Sequence, residues 1–147
     1  MYPVLIEISH LQVLVVGGGR IASRKLTELI AAGSRPVVIA PKVSEKIREW
    51  ADAGLVTLKQ RDFCSGDTGA FDMVFIATDQ PKVNDAVFSE LRPGQLVNDT
   101  TVASRGNFMN LALVKKRAGT VGITTFGTDP ATAKHWKEKI NRLLADD

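Results

Sequence analysis

The chain has one cysteine, Cys64, in 147 residues. A lone thiol excludes an internal disulfide and any metal site built from several cysteines. Cys64 lies close to Asp62 and Asp67, a setting that does not favour a thiolate, and it reads as a passive thiol. The two histidines, His10 and His135, are far apart, and neither has a Cys or His nearby. No metal-ligand spacing is visible, and no metal is expected. No apolar run approaches the roughly 20 residues of a membrane span, and the N-terminus carries no signal-peptide pattern. A cytoplasmic location without a membrane partner is the resulting expectation. Basic residues are scattered apart from Lys115-Lys116-Arg117, so the footprint of a nucleic-acid binder is missing. The net charge of +3 is mild and suits an acidic small molecule. One more absence is local. The apolar run 36–40 ends in Ala40-Pro41-Lys42, without the acidic residue that many nicotinamide-binding folds place there for the adenosine ribose. Backbone groups or Lys42 must then hold the ribose, although an exposed loop lysine is more often only solvated.

What is present centres on residues 11–29, LQVLVVGGGRIASRKLTEL. Residues 12–16 are an apolar, β-branched run that fits a strand buried on both faces of a parallel sheet. Gly17, Gly18 and Gly19 follow, and then apolar residues at Ile21, Ala22, Leu26, Leu29 and Ile30, close to a helical period. Strand, glycine turn and helix are the context that gives Gly17-x-Gly19-x-x-Ala22 its meaning as a dinucleotide site. Gly17 allows the tight turn, Gly19 lets a pyrophosphate approach the backbone, and Ala22 lets the helix pack closely. The free N–H groups at the helix start would hold the phosphates.

The rest of the chain repeats this alternation. The patterns predict a helix over 20–32, a strand over 36–40, and a helix over 45–53 with Ser44 as N-cap. They predict strands over 56–59, 71–77 and 95–98, and a helix over 81–91 with Asp79 as a candidate cap. Residues 2–8 read as an edge strand or a segment lying against the sheet. His10 reads as a surface turn residue, and residues 61–69 as a loop. After Gly106 the pattern changes: 119–126 reads as a strand, and a last helix starts at Asp129-Pro130. The fold class is therefore α/β, a Rossmann-like doubly wound parallel sheet. Residues 1–106 form a nucleotide-binding domain, and 107–147 a short C-terminal segment. Thr78 and residues 99–101 fall at carboxyl ends of strands, where open α/β sheets bind ligands.

Taken together, MYPVLIEI, VLVVGGGRIASRKLTELIAAG, VVIAPKVS, FIATDQPKVN and LVNDTTVASRGNF resemble the precorrin-2 dehydrogenase family of siroheme biosynthesis. Some members of that family are also sirohydrochlorin ferrochelatases. The resemblance runs over residues 1–126. It implies oxidation of the tetrapyrrole precorrin-2 to sirohydrochlorin with NAD⁺ as hydride acceptor. It also implies a homodimer to which the C-terminal segment contributes. The cofactor-binding residues it implies are Gly17, Gly18, Gly19, Arg20, Ile21, Pro41, Lys42 and Thr78. The missing ribose carboxylate is normal for that family.

Two departures bear on the chemistry. Many members follow the fifth strand with Asn-Val-Val-Asp. Aligned on Asn98, the aspartate position is Thr101, and an aspartate stands two places earlier at Asp99. Threonine is no general base at neutral pH without an activating neighbour. Strand alternation would point Asp99 and Thr101 to the same side, so both are candidate catalytic residues, with loop capping the plainer role for Asp99. In residues 124–130, Phe126 and Asp129 interrupt a Ser-rich stretch that the resemblance turns toward the tetrapyrrole. The substrate-binding candidates are Arg105, as a partner for substrate carboxylates or a solvated loop residue, together with Asn107 and Thr124. Asn107 inclines to a loop role. Longer members continue past the end of this chain, which reads as truncated. Two rival functions remain at this level. One is a bifunctional dehydrogenase–ferrochelatase, with His10, Asp99 or His135 accepting pyrrole protons. The other is a non-catalytic NAD- or tetrapyrrole-binding relative.

Overall fold

The computed structural model describes residues 1–145, which form two compact units that divide after Asn107. In the first, β1 (Val13–Val16) is buried along its whole length. Only a strand with neighbours on both edges and layers on both faces can bury four successive apolar residues. Those neighbours are β2 (Val37–Ile39) and β4 (Met73–Ile76), and β3 (Thr57–Lys59) and β5 (Leu96–Asp99) complete the sheet. The strand order is β3-β2-β1-β4-β5, and every pairing is parallel. This is the Rossmann-like doubly wound sheet.

Register places the site. Val16 pairs with Ile39 on one side and with Ile76 on the other, and Ile76 pairs with Asp99. Four strands therefore end level, and their following loops share one edge. The strand order reverses between β1 and β4, the switch point at which such sheets take ligands. Helices α1 (Arg20–Ala31), α2 (Glu45–Asp52) and α3 (Pro81–Ser89) return the chain. Leu14, Val16, Ile39, Phe71, Val74, Ile76 and Val87 form a buried cluster that holds these strand ends together. Gly33, with φ 82°, ends α1 in the left-handed conformation that glycine adopts without strain.

Two local expectations are corrected. Residues 2–8 form no strand and do not lie on the sheet: Tyr2 and Leu5 are exposed, and only Ile8 is buried. Apolar alternation supplied the pattern but no strand supplied the partner. Asp79 does not cap α3. The N-cap is Gln80, without a side-chain cap bond, and Pro81 at the first turn removes one of the N–H groups that a cap would serve. By contrast Ser44 caps α2, its hydroxyl accepting the Ile47 N–H at 3.4 Å. The 61–69 loop is drawn together by a bidentate pair from Arg61 to Asp67, both contacts at 2.7 Å.

Lys25, on α1, is half-buried with its ammonium 5.7 Å from the centre of the Phe75 ring. Burial, helped by Arg24, pushes its pKa down to about 8. The unfolded chain holds that proton up to about 10.4. The stability penalty is thus fully present below pH 8 and is relieved as pH rises from about 8 to about 10.5. Lys25→Met is expected to stabilise the fold at pH 7 by about 1 kcal/mol, allowing for solvent screening. Melting at pH 7 and pH 10 checks this, since the advantage must shrink at the higher pH.

In the second unit, β6 (Ala112–Lys115) and β7 (Thr120–Ile123) form an antiparallel hairpin, and α4 (Pro130–Leu143) packs against it. The predicted strand over 119–126 is shorter because Thr124 begins a turn. Asp129 caps α4 by accepting the Thr132 N–H at 2.9 Å. Among the described residues of this unit only Val114 and Ile123 are buried, while Val121, Phe126, Trp136 and Leu143 are exposed.

Candidate functional site

The three glycines have three different reasons to be glycine. Gly17 has φ 130°, and a Cβ on it would strike the Ala77 carbonyl at the end of β4. Its N–H continues the ladder to the Ile39 carbonyl at 3.0 Å. A Cβ on Gly18 would strike the Lys42 carbonyl and crowd Val43. The turn is therefore pressed onto the loop after β2, and the Gly18 carbonyl accepts the Ser44 N–H at 2.9 Å. A hydroxyl pair locks this contact: Ser23 Oγ donates to the Gly19 carbonyl at 3.0 Å and lies 2.9 Å from Ser44 Oγ. Gly19, the N-cap of α1, has an ordinary φ of −88°, and nothing lies within 4 Å of a Cβ built there.

That open space is a cradle which any side chain would fill. It lies at the first turn of α1, where the leading N–H groups have no intrahelical partners and the helix dipole is positive. Arg20 and Ile21 are exposed beside it, and Ala22 is fully buried beneath. Pro41 and Lys42 are exposed at the end of β2. The residues present thus fit a dinucleotide with its pyrophosphate at Gly19.

The loops after β4 and β5 form the other half of this edge. Thr78 Oγ1 donates to Asn84 Oδ1 at 2.6 Å and accepts the Gln80 N–H at 3.0 Å. Asn84, buried on α3, returns its amide to the Thr78 carbonyl at 3.1 Å and to Thr101 Oγ1 at 3.4 Å. Asp99 closes the chain of contacts. Its Oδ1 accepts the Thr101 N–H at 2.8 Å, the Thr101 hydroxyl at 2.7 Å and the Val102 N–H at 3.0 Å. Its side chain has no exposed surface. Asp99 Oδ1 therefore caps the loop in this conformation. Thr101, at its side, is exposed. A shallow cleft is lined by Thr78, Asn84, Asp85, Thr101, Val102 and Arg105.

Comparison with known proteins places this architecture. Residues 4–112 match a family model described as "Putative NAD(P)-binding". A precorrin-2 dehydrogenase of Priestia megaterium is 32% identical over 96% of this chain and 70% of its own length. The solved structure of SirC, a precorrin-2 dehydrogenase, superposes with a TM-score of 0.89 at 32% identity, over 97% of this chain and 70% of that one. The chain belongs to the precorrin-2 dehydrogenase family. It also matches longer proteins: a siroheme synthase of Nitrosococcus oceani is 32% identical over 97% of this chain, which spans 31% of that protein's length.

Within this precorrin-2 dehydrogenase fold, the remaining candidates separate. Arg105 lies in a short 3-10 turn (Ala103–Arg105). Its guanidinium is 2.7 Å from Asp85, 3.9 Å from the buried Asp99 Oδ2, and 5.0 Å from the Phe88 ring centre. It is an oriented cation at the cleft rather than a solvated loop residue. The Asn107 side chain bonds back along β5, the loop role to which its sequence position inclines. Its Oδ1 accepts the Val97 N–H at 2.8 Å, its amide donates to the Gln95 carbonyl at 2.7 Å, and its own N–H reaches the Val97 carbonyl at 3.0 Å. It bonds along β5 much as a neighbouring strand would. Thr124, in the second unit, accepts the Phe126 N–H at 2.9 Å and shapes its own turn. His10 sits in an exposed turn of the first unit and His135 on α4 of the second. Among the described residues, no three His, Cys, Asp or Glu side chains are grouped to hold a metal, and no helix is long and apolar enough to cross a membrane.

Sequence reasoning missed Asn84 and the Ser23–Ser44 pair. The signal for Asn84 was a polar residue on the inward stripe of α3, one place after Val83 and three before Val87. The pair carried no signal, because it joins two helix starts 21 residues apart.

Proposed function

We propose that this chain oxidises precorrin-2 to sirohydrochlorin with NAD⁺ in the cytoplasm, acting as a homodimer. The observation that carries the reading is the open Gly19 cradle at the switch point, on a chain that matches SirC over 97% of its length. NAD⁺, when bound, accepts a hydride from the substrate. The protein's part is to bind and orient. The N–H groups at the start of α1 hold the pyrophosphate, assisted by the flanking Arg20 and Ile21. Pro41 and Lys42 receive the adenosine ribose without a carboxylate. Thr78, fixed by Asn84, borders the nicotinamide end, and Thr101 offers a neutral hydroxyl beside it. Arg105 meets a substrate carboxylate by leaving the exposed Asp85.

Turnover of precorrin-2, followed by NADH formation, tests the reading. Absence of NADH from folded protein that binds NAD⁺ would leave a binding relative instead. Insertion of Fe²⁺ into sirohydrochlorin would add the chelatase activity. The dimer reading is supported by exposed apolar residues such as Trp136 and Leu143, since patches of this kind mark interfaces. A solution mass of a single chain would overturn it.

A further inference from the structure

Arg105 faces two carboxylates of opposite character. Its Nη1 lies 2.7 Å from Oδ1 of Asp85, whose side chain is 62% exposed. The same nitrogen lies 3.9 Å from Oδ2 of Asp99, whose side chain has no exposed surface. Asp99 Oδ1 takes three hydrogen bonds from its own loop, whereas Oδ2 is buried and takes none. A buried charge without a hydrogen bond needs an opposite charge nearby, and Arg105 supplies it. The guanidinium also lies over the Phe88 ring, and the Arg105 N–H is tied to the Val102 carbonyl at 3.0 Å. Arg105 is therefore held at the cleft by groups that cannot leave.

Asp85 can leave. It stands three places before Phe88 on α3, so the two share one helix face, and its exposure lets it turn to solvent. An exposed ion pair is weak, which makes the Asp85 contact the one that gives way. Among the described residues that line the cleft, Arg105 is the only cation. A ligand carboxylate entering there has Arg105 as its partner and finds Asp85 already on it.

We propose that Asp85 is a built-in competitor for Arg105, a specificity residue that occupies the guanidinium while the cleft is empty and sets how tightly carboxylated ligands bind. The inference rests on the reading of Arg105 and of the substrate given above. The exchange swaps one carboxylate for another on a fixed guanidinium, and Asp85 repels the newcomer until it turns away. Asp85 acts through Arg105 and touches neither the cofactor nor the reacting carbon, so it tunes binding and not hydride transfer.

Asp85→Asn in the full chain keeps the shape and removes the competing charge. The KM for precorrin-2 and the Kd for sirohydrochlorin should both fall about two- to fivefold, with kcat and Tm nearly unchanged. Arg105→Gln should raise both constants about tenfold or more, and in that background Asp85→Asn should no longer lower them. Because Arg105→Gln leaves the buried Asp99 without its cation, Arg105→Lys serves beside it: lysine keeps a charge, so the response to Asp85→Asn should survive. Unchanged KM and Kd in Asp85→Asn would overturn the inference. So would an equal fall in the Arg105→Gln background, which makes the effect a general field of Asp85, or a parent chain that binds no sirohydrochlorin. Tighter sirohydrochlorin binding by Asp85→Asn in a protein that forms no NADH from precorrin-2 would support the competitor role and sink the dehydrogenase reading alone.

Discussion

Gly19→Val should fold like the parent and bind NAD⁺ at least about 100-fold more weakly. The space above Gly19 is empty, its φ of −88° suits any residue, and no neighbour lies within 4 Å of a Cβ. The fold therefore has no reason to object. The isopropyl group would occupy the cradle and keep a pyrophosphate away from the first-turn N–H groups. Hydrogen bonds to a charged group are each worth about 1.5–3 kcal/mol, and losing one or two accounts for the expected drop. Gly17→Ala is the control with the opposite signature. Its Cβ would meet the Ala77 carbonyl at a positive φ, so stability should fall before binding can be compared. Isothermal titration with NAD⁺ and thermal melting of both variants decide the matter. Parental NAD⁺ affinity in folded Gly19→Val would move the pyrophosphate away from this turn, and with it the placement of Arg20 and Ile21 in the site.

Asp99 yields the second large effect, and the contrast between two substitutions carries it. In Asp99→Ala the Thr101 and Val102 N–H groups and the Thr101 hydroxyl all lose their acceptor. Leaving such groups unpaired costs about 1–3 kcal/mol each when buried. These are part-buried, so a total loss of about 2–4 kcal/mol is expected, with turnover falling more than tenfold as the loop beside Thr78 and Asn84 loses its shape. Asp99→Asn keeps an oxygen where Oδ1 stands. It should retain turnover within about tenfold, short of the 10²–10⁴-fold typical of a lost acid–base group. Melting and steady-state kinetics on both variants test this. A 10²-fold loss in Asp99→Asn with unchanged Tm would return the carboxylate to the chemistry and would falsify the capping role.

How far the site was legible follows from which residues carry it. The glycine turn was readable because strand, turn and helix are adjacent in sequence, and their periodicities change over within a few residues. The level carboxyl edge was readable for the same reason, since each buried strand ends where its β-branched run ends. Asp99 and Asn107 were found as positions, with loop roles as the plainer reading, but their bonding partners were not. Sequence spacing says which side a residue faces, not that Asp99 turns onto the N–H groups of its own loop or that Asn107 turns back along β5. Both are polar side chains competing with water for nearby backbone groups, and burial settles that competition.

By itself, the order of apolar runs, turns and amphipathic segments determined a doubly wound parallel sheet with a dinucleotide turn after its first strand. Those features are local, and a period of two or 3.6 needs no distant partner to be read. Tertiary structure alone decided the contacts between elements: Gly18 pressed on Lys42, Ser23 against Ser44, and Asn84 joining Thr78 to Thr101. It also decided that residues 2–8 would pair with no strand and that Phe126 would stand exposed with a left-handed backbone. Each depends on which segments meet in space. That is set by the packing of the whole sheet against its helices and by the closing of individual turns, neither of which is encoded in any one window of the chain.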